Sequence, residues 1–236
     1  HPPRGTGICH SILVMLRPMK TRDRIIQVSL ELFNREGEPN VTSVDIANEL
    51  DISPGNLYYH FKGKEELVGE LFARFYQQFN VILRAPVQDP LRLEDNWFYL
   101  VVVFEHIHAY RFLYRNVSLL LQRYEHIRRP FRRLLHMKQD AARAICVQLR
   151  TAGLMEIDDD QITLLARSIA LTITYWLNFD NLMGDRSSDD ETVIDDGVLQ
   201  VLSLVAPHID ALQREFMETA RTIHSRSTTA TTPRRR

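Results

Sequence analysis

The residues best suited to chemistry lie between positions 42 and 64. Asn56, Tyr59 and His60 share one side of a short segment whose other side carries Leu57 and Phe61. An asparagine amide can bond adenine at two points, and tyrosine and histidine can reach phosphate oxygens. Ser43 and Ser53 stand at the starts of two short helical runs, where N-termini favour anions. The spacing is that of a helix-turn-helix: 43–50, a tight turn at Asp51 and Ile52, then about 54–61. Ile46, Ala47, Leu50, Ile52, Leu57 and Phe61 turn inward, and the small Ala47 admits the second helix closely. A plain helical hairpin with a solvated face shares this pattern, so the pattern alone leaves both readings open.

Other candidate chemistry is thinner. His106 and His108 invite a metal reading, but positions i and i+2 on a helix point about 200° apart and cannot chelate together. Asp185–Asp196 is acidic without the spacing of a calcium loop, and a solvated connection is the better reading. Arg123, Arg128, Arg129, Arg132 and Arg133 form either a solvated face or an anion-binding rim. Glycine-rich phosphate loops, Gly-x-Ser-x-Gly and His-Glu-x-x-His are absent, so no enzyme is expected, and no metal or cofactor.

The elements that position these residues read as helices almost throughout. Nine glycines and ten prolines are about 8% of the 236 residues, against roughly 12% in average usage, which disfavours a turn-rich β fold. Ile25, Ile26, Leu30 and Phe33 recur at helix spacing until Gly37. A second helix starts at Thr42/Ser43, and Ser53 caps a third with Pro54 at its first position. A fourth runs from Lys64 to Leu83, with Pro86 and Pro90 expected to end it. Further helices are expected at 93–109, 110–123, 127–152, 160–183, 191–206 and 208–223. The apolar set in 160–183 is wider than one stripe, which implies burial on more than one side. His1–Pro18 has no sustained period, and Met19 reads as a natural start; 1–18 is expected to be disordered or non-native, and 225–236 a disordered tail.

Thr21–Leu71, with Gly55-Asn56-Leu57-Tyr58-Tyr59-His60-Phe61 and Lys64-Glu65-Glu66-Leu67 at its centre, closely resembles the DNA-binding segment of TetR-family transcription regulators. The resemblance implies an all-α chain: a helix-turn-helix domain at 19–64 and a helical ligand-binding and dimerisation domain at 65–224. It implies that Pro54, Gly55, Asn56 and Tyr59 face the major groove, and that Thr42, Ser43, Tyr58, His60 and Lys64 bind phosphate. Val44 matches a position where some relatives carry a base-reading arginine; here it can touch only a thymine methyl. Asp51 departs from the glycine usual at that turn.

The same resemblance implies an effector pocket among the helices of 91–184. That segment is dense in aromatic and polar side chains, of which Trp97, His106, Tyr110, Arg111, Tyr114, Gln122, Arg123, Tyr175, Trp176 and Asn178 are the candidates. A homodimer through a four-helix bundle is implied too, with Ile162, Leu165, Ile169, Ile173, Val198, Val201, Leu202 and Val205 as its candidate apolar face. Asn34–Val41, Ile46–Leu50, Tyr110–Leu113 and Leu204–His208 are similar to the polyhydroxyalkanoate-gene (PhaD-like) subgroup, which implies an acyl-CoA or fatty-acid-like effector.

Partners expected are therefore double-stranded DNA with a near-palindromic operator, a small-molecule effector and a second copy. No apolar run reaches the roughly 18 residues of a membrane span, and two cysteines exclude a disulfide framework; a cytoplasmic site is the expectation. The chain has 29 Lys and Arg against 30 Asp and Glu, and its first 85 residues carry ten of each sign. DNA binding must then rest on a few placed donors rather than a broad basic field. The alternative from another class is a helical lipid- or acyl-group-sequestering protein that does not bind DNA.

Overall fold

The computed structural model describes residues 20–88, 93–184 and 192–209. The expected leader, nearly all of the helix expected at 208–223 and the expected tail lie outside them. Among the described residues the regular elements are helical, with one isolated antiparallel bridge between Met155 and Ile209. The chain divides into two units between Leu71 and Phe72.

The first unit contains α1 (Thr21–Glu36), α2 (Ser43–Glu49), α3 (Pro54–His60) and the start of α4 (Lys64–Gln88). Helix α1 buries Ile25, Ile26, Leu32 and Phe33 and ends at Gly37, whose φ of 84° favours glycine. Thr42 caps α2 reciprocally: its hydroxyl accepts from the Asp45 N–H (3.2 Å), and the Asp45 carboxylate accepts from the Thr42 N–H (2.8 Å). The Thr42 hydroxyl and N–H bonds together hold the Asp45 carboxyl below its usual range. Ser53 caps α3 by accepting from the Asn56 N–H at 3.2 Å, with Pro54 at the first helical position.

Between α2 and α3 the Asp51 N–H donates to the Asn48 carbonyl (3.1 Å) and the Ile52 N–H to the Ala47 carbonyl (3.0 Å). Asp51 has φ 53°, the single positive value among described non-glycine residues. Ile46, Ala47, Leu57, Phe61, Leu67 and Val68 are completely buried. The Arg22 guanidinium lies 4.8 Å over the Phe61 ring and pairs with both Glu70 oxygens, at 3.0 and 3.3 Å.

The second unit continues α4 and adds α5 (Leu93–Ala109), α6 (Phe112–Arg115), α7 (Val117–Arg123), α8 (Glu125–Thr151), α9 (Asp159–Met183) and α10 (Thr192–Val205). Helix α9 packs against α6, α8 and α10, and α10 also packs on α5. Asp158 and Gln161 cap α9 reciprocally, and Gly184 at φ 74° ends it. Gly197 lets α10 approach closely, since a Cβ there would lie 2.6 Å from the Phe104 ring and 2.7 Å from Trp176.

Three sequence expectations change. The helix expected at 110–123 is broken at Asn116, whose side chain accepts from the Leu119 N–H and starts a new helix. Pro86 does not end α4: in the last turn it forfeits one bond, and the helix runs to Gln88. And α9 is long and apolar enough to cross a membrane by length and composition, although 44% of that window is buried inside the bundle, as in a core helix.

The turn supplies the first test. An L-residue in the left-handed region costs about 1–2 kcal/mol, less for Asp because of its local hydrogen bonding, and glycine returns part of that gain as unfolded-chain entropy. Asp51→Gly is expected to be neutral or to stabilise by up to about 1 kcal/mol in thermal or denaturant melts. A clear loss of stability would contradict this account of the turn.

Candidate nucleic-acid interface and effector cavity

The cap and the buried core fix how α3 is turned. With Leu57 inward, the opposite side presents Tyr59 at 85% exposure and Tyr58 at 56%, beside exposed Pro54, Gly55 and Asn56. Val44 is 51% exposed on α2; Ser43 and His60 are half-buried, and the His60 ring meets Tyr59 edge-on at 5.2 Å. Thr42 is exposed, but its hydroxyl is engaged with Asp45 as donor (2.7 Å) and acceptor. The structure thus gathers the expected groove-facing residues on one surface.

Lys64 is different. Its ammonium donates to the Glu38 carbonyl (2.7 Å) and the Val41 carbonyl (2.9 Å) and pairs with the Glu38 carboxylate (2.8 Å), which is only 3% exposed. An ammonium has three donors, and all three are spent inside the protein. The phosphate role implied by the resemblance gives way to a structural one: Lys64 fastens the 38–41 loop to the start of α4.

The second unit encloses a cavity of about 60 Å³. Leu83 of α4, Tyr99 and Val103 of α5, and Ile145, Cys146 and Leu149 of α8 contribute to its wall. Met155 and Ile209, joined by their isolated bridge, also line it. The lining is almost wholly aliphatic, and its polar members are Asn96, Tyr99, Lys138 and Cys146.

None of the ten expected effector residues is among those lining it. His106 stacks on Phe75 (4.9 Å, 9° between planes) and donates to the Phe75 carbonyl at 3.1 Å; burial pulls its pKa down, against that bond. Tyr110 packs beside it on Phe75, and Tyr114 is wholly buried in the same aromatic cluster. Trp176 donates to the Val193 carbonyl at 2.8 Å, and Asn178 to the Arg115 carbonyl. Arg111 donates to the His108 carbonyl at 3.3 Å, and Trp97 is half-buried on α5. Gln122, Arg123 and Tyr175 are exposed. These residues hold helices together or face solvent, as aromatic and amide groups on helices more often do. Arg129 and Arg133 border a separate open groove of about 480 Å³ with Phe72, Tyr76 and Pro130.

The expected dimer residues also lie elsewhere. Ile162, Leu165, Ile169, Ile173, Val198 and Val201 are buried in the protomer's own core, and Ile169, Ile173, Val201, Leu202 and Val205 line the cavity. Helix α9 is apolar on two sides, and its residues expected at a dimer face lie on the inner one. The outer side exposes Leu164, Leu171, Tyr175, Phe179 and Leu182, between 45% and 76%. At about 100° per residue these five fall within a stripe roughly 80° wide.

The residue the sequence reading missed is Lys138. It is 1% exposed, donates to the Thr174 hydroxyl at 2.9 Å, and lies 4.7 Å over the Tyr114 ring and 5.6 Å over Phe79. No carboxylate among the described residues pairs with it. A signal existed: Ile127, Phe131, Leu134, Ala141 and Cys146 form a buried seam along α8, and Lys138 sits within it.

Burial pulls the Lys138 pKa down to about 7. In the unfolded chain the amine keeps its proton to about pH 10.4. Between those values the unfolded state holds more protons, so this residue's contribution to stability rises with pH from about 7 and levels off near 10. Denaturant melts at pH 6.5, 8 and 9.5 should show the wild type gaining on Lys138→Met across the series. Parallel curves would refute the lowered pKa of the buried amine.

Two family descriptions match the chain. "Bacterial regulatory proteins, tetR family" covers residues 25–71, and "TetR: Bacterial transcriptional repressor" covers residues 74–216. YttP of Bacillus subtilis, a probable HTH-type transcriptional regulator, is 28% identical over 108 residues, 43% of this chain and 52% of that protein. The HTH-type transcriptional repressor KstR2 of Mycolicibacterium smegmatis is 30% identical over 107 residues, 42% of this chain and 51% of that one. The chain spans about half the length of these curated relatives. A crystal structure of a TetR-family regulator from Marinobacter aquaeolei VT8 superposes with a TM-score of 0.77 at 35% identity, covering 86% of this chain and 98% of that one. Matches in both units, and that superposition across most of the chain, identify the protein as a member of the TetR family of bacterial transcriptional regulators.

Proposed function

We propose that the chain is a homodimeric, ligand-responsive DNA-binding regulator that reads a near-palindromic operator with α3 and answers a small apolar or acyl-type effector held in the second unit. The observation that carries the reading is the outer face of α3. Gly55 has an ordinary backbone there, and a Cβ would meet nothing nearer than 3.9 Å. A glycine costs up to about 1 kcal/mol against alanine in a helix interior and less in the first turn, where Gly55 stands, and no internal crowding calls for it. A duplex pressed against α3 is what would need the space, with Asn56 and Tyr59 alongside to meet base edges and phosphate. Thr42, Ser43, Val44, Pro54, Tyr58 and His60 complete the surface.

The near-zero charge of the chain supports a mode in which placed donors and helix ends dominate. Helix α4 carries Lys64, anchored in the head, and Leu83, on the cavity wall, so cavity occupancy has a continuous element through which to bias the head. The aliphatic lining suits an acyl chain, in line with the PhaD-like strings in the sequence. A helical lipid-sequestering protein without DNA would share the cavity but leave Gly55, Asn56 and Tyr59 unexplained.

The α9 stripe of Leu164, Leu171, Tyr175, Phe179 and Leu182 is the surface we assign to a second copy. Five large apolar side chains on one face of one helix need a cover, and two such helices meeting about a twofold axis supply it.

Gel-shift titrations against genomic fragments separate these roles. Gly55→Ala should raise the melting point slightly while weakening the specific shift, and Asn56→Ala and Tyr59→Ala should weaken it on the order of tenfold or more. Unchanged affinity in all three would overturn the interface. Leu171→Glu combined with Phe179→Glu should turn a dimer into a monomer in sedimentation. A dimer unaffected by both charges would remove this face from consideration.

A further inference from the structure

We infer that the effector is a carboxylic acid whose carboxylate pairs with Lys138 inside the cavity while its alkyl chain lies along the aliphatic wall. This rests on the effector-binding reading above and names the chemistry of that same site.

The cavity poses a mismatch that the protein alone does not resolve. Its wall is aliphatic, yet one residue that lines it is Lys138, which is almost wholly withdrawn from solvent. Its amine has one hydroxyl partner, Thr174, and the faces of Phe79 and Tyr114. The Thr174 hydroxyl in turn donates to the Ala170 carbonyl at 2.7 Å, so it brings no negative charge. A buried ammonium is costly unless an anion meets it, and two of its three donors have no hydrogen-bond acceptor here. The Tyr99 hydroxyl, on the same lining, is also buried and without a hydrogen-bond partner. A carboxylate offers about four lone-pair sites and can accept from both groups.

Size and polarity narrow the class. At roughly 10–15 Å³ for each water-sized position, about 60 Å³ accommodates on the order of four to six heavy atoms before any wall moves. That suits a short monocarboxylate and excludes a coenzyme A headgroup from the interior. Longer chains require side chains such as Leu202 and Val205, which line the cavity and are only half-buried, to part. Lys138 is the one charged residue in the lining, so a second carboxylate would find no cation and a dicarboxylate is disfavoured.

The test is calorimetric titration of the full chain with unbranched monocarboxylates from butanoate to dodecanoate, each beside the primary alcohol and the coenzyme A thioester of the same length. The acids should bind on the order of 10- to 100-fold more tightly than the matched alcohols and thioesters. Lys138→Met keeps the shape of the side chain and removes the charge; it should bring the acid down to the level of the alcohol. The comparison of acid with alcohol in the wild type needs no variant, so a misfolded Met protein leaves the inference exposed to refutation. Equal binding of acid and alcohol, thioester binding stronger than acid, full acid affinity in Lys138→Met, or no acid binding at any length would each overturn it. Operator shifts run alongside tell the two readings apart. Intact DNA binding with no acid response removes this inference alone, whereas acid binding with no DNA binding removes the regulator.

Discussion

A seven-residue helix has no stability of its own in water, and the DNA-reading head is built around two of them. Helices α2 and α3 exist because each gives up one side to a common apolar core and because their ends are chemically closed. Ala47 and Leu57 are both wholly buried in that core, and a larger side chain at 47 would need room that a close-packed interior does not have. The caps at Thr42 and Ser53 then leave few free amides at the helix starts. What remains outward on α3 is the portion the core cannot use, and it is there that the side chains suited to DNA are found.

The second unit obeys the opposite constraint. Its long helices have more apolar surface than one contact can absorb. Helix α9 spends its inner side on α8 and α10 and leaves the outer one bare. The cavity arises from the same excess, as a gap between helices where large side chains meet imperfectly. A lysine in that gap is tolerated only with its stem packed and its charge against ring faces.

How much of this the sequence reveals depends on the range of the interaction. Caps, the proline that opens α3 and the glycine stops at 37 and 184 act within a few residues, and their helices stand where the pattern puts them. The break at Asn116 is equally local, but an apolar run on both sides hides it. Roles set across the fold are harder to read. Lys64 looks like any basic residue at a helix start until Glu38 and Val41, more than twenty residues earlier, are found around it. The inner and outer sides of α9 carry the same residue types, so only packing distinguishes core from surface. His106 and Tyr110 look like pocket residues, and Phe75 claims them instead. Lys138 is the reverse: an interruption in a regular seam, legible in principle because a charge among buried positions demands a reason.

The anchoring of Lys64 bears on how a signal could arrive at DNA. Three short bonds join the first residue of α4 to the loop that leads into the Thr42 cap, and the paired Arg22 and Glu70 join α1 to the same helix. The head therefore has little mechanical slack. On the proposed function, a tilt delivered at α4 would reach α2 and α3 as a rotation of one block, with α3 keeping its internal geometry while its reach changes. In the proposed dimer such a block would alter the distance between two heads without altering what either one reads, so an effector would change occupancy of the operator and leave its sequence preference intact.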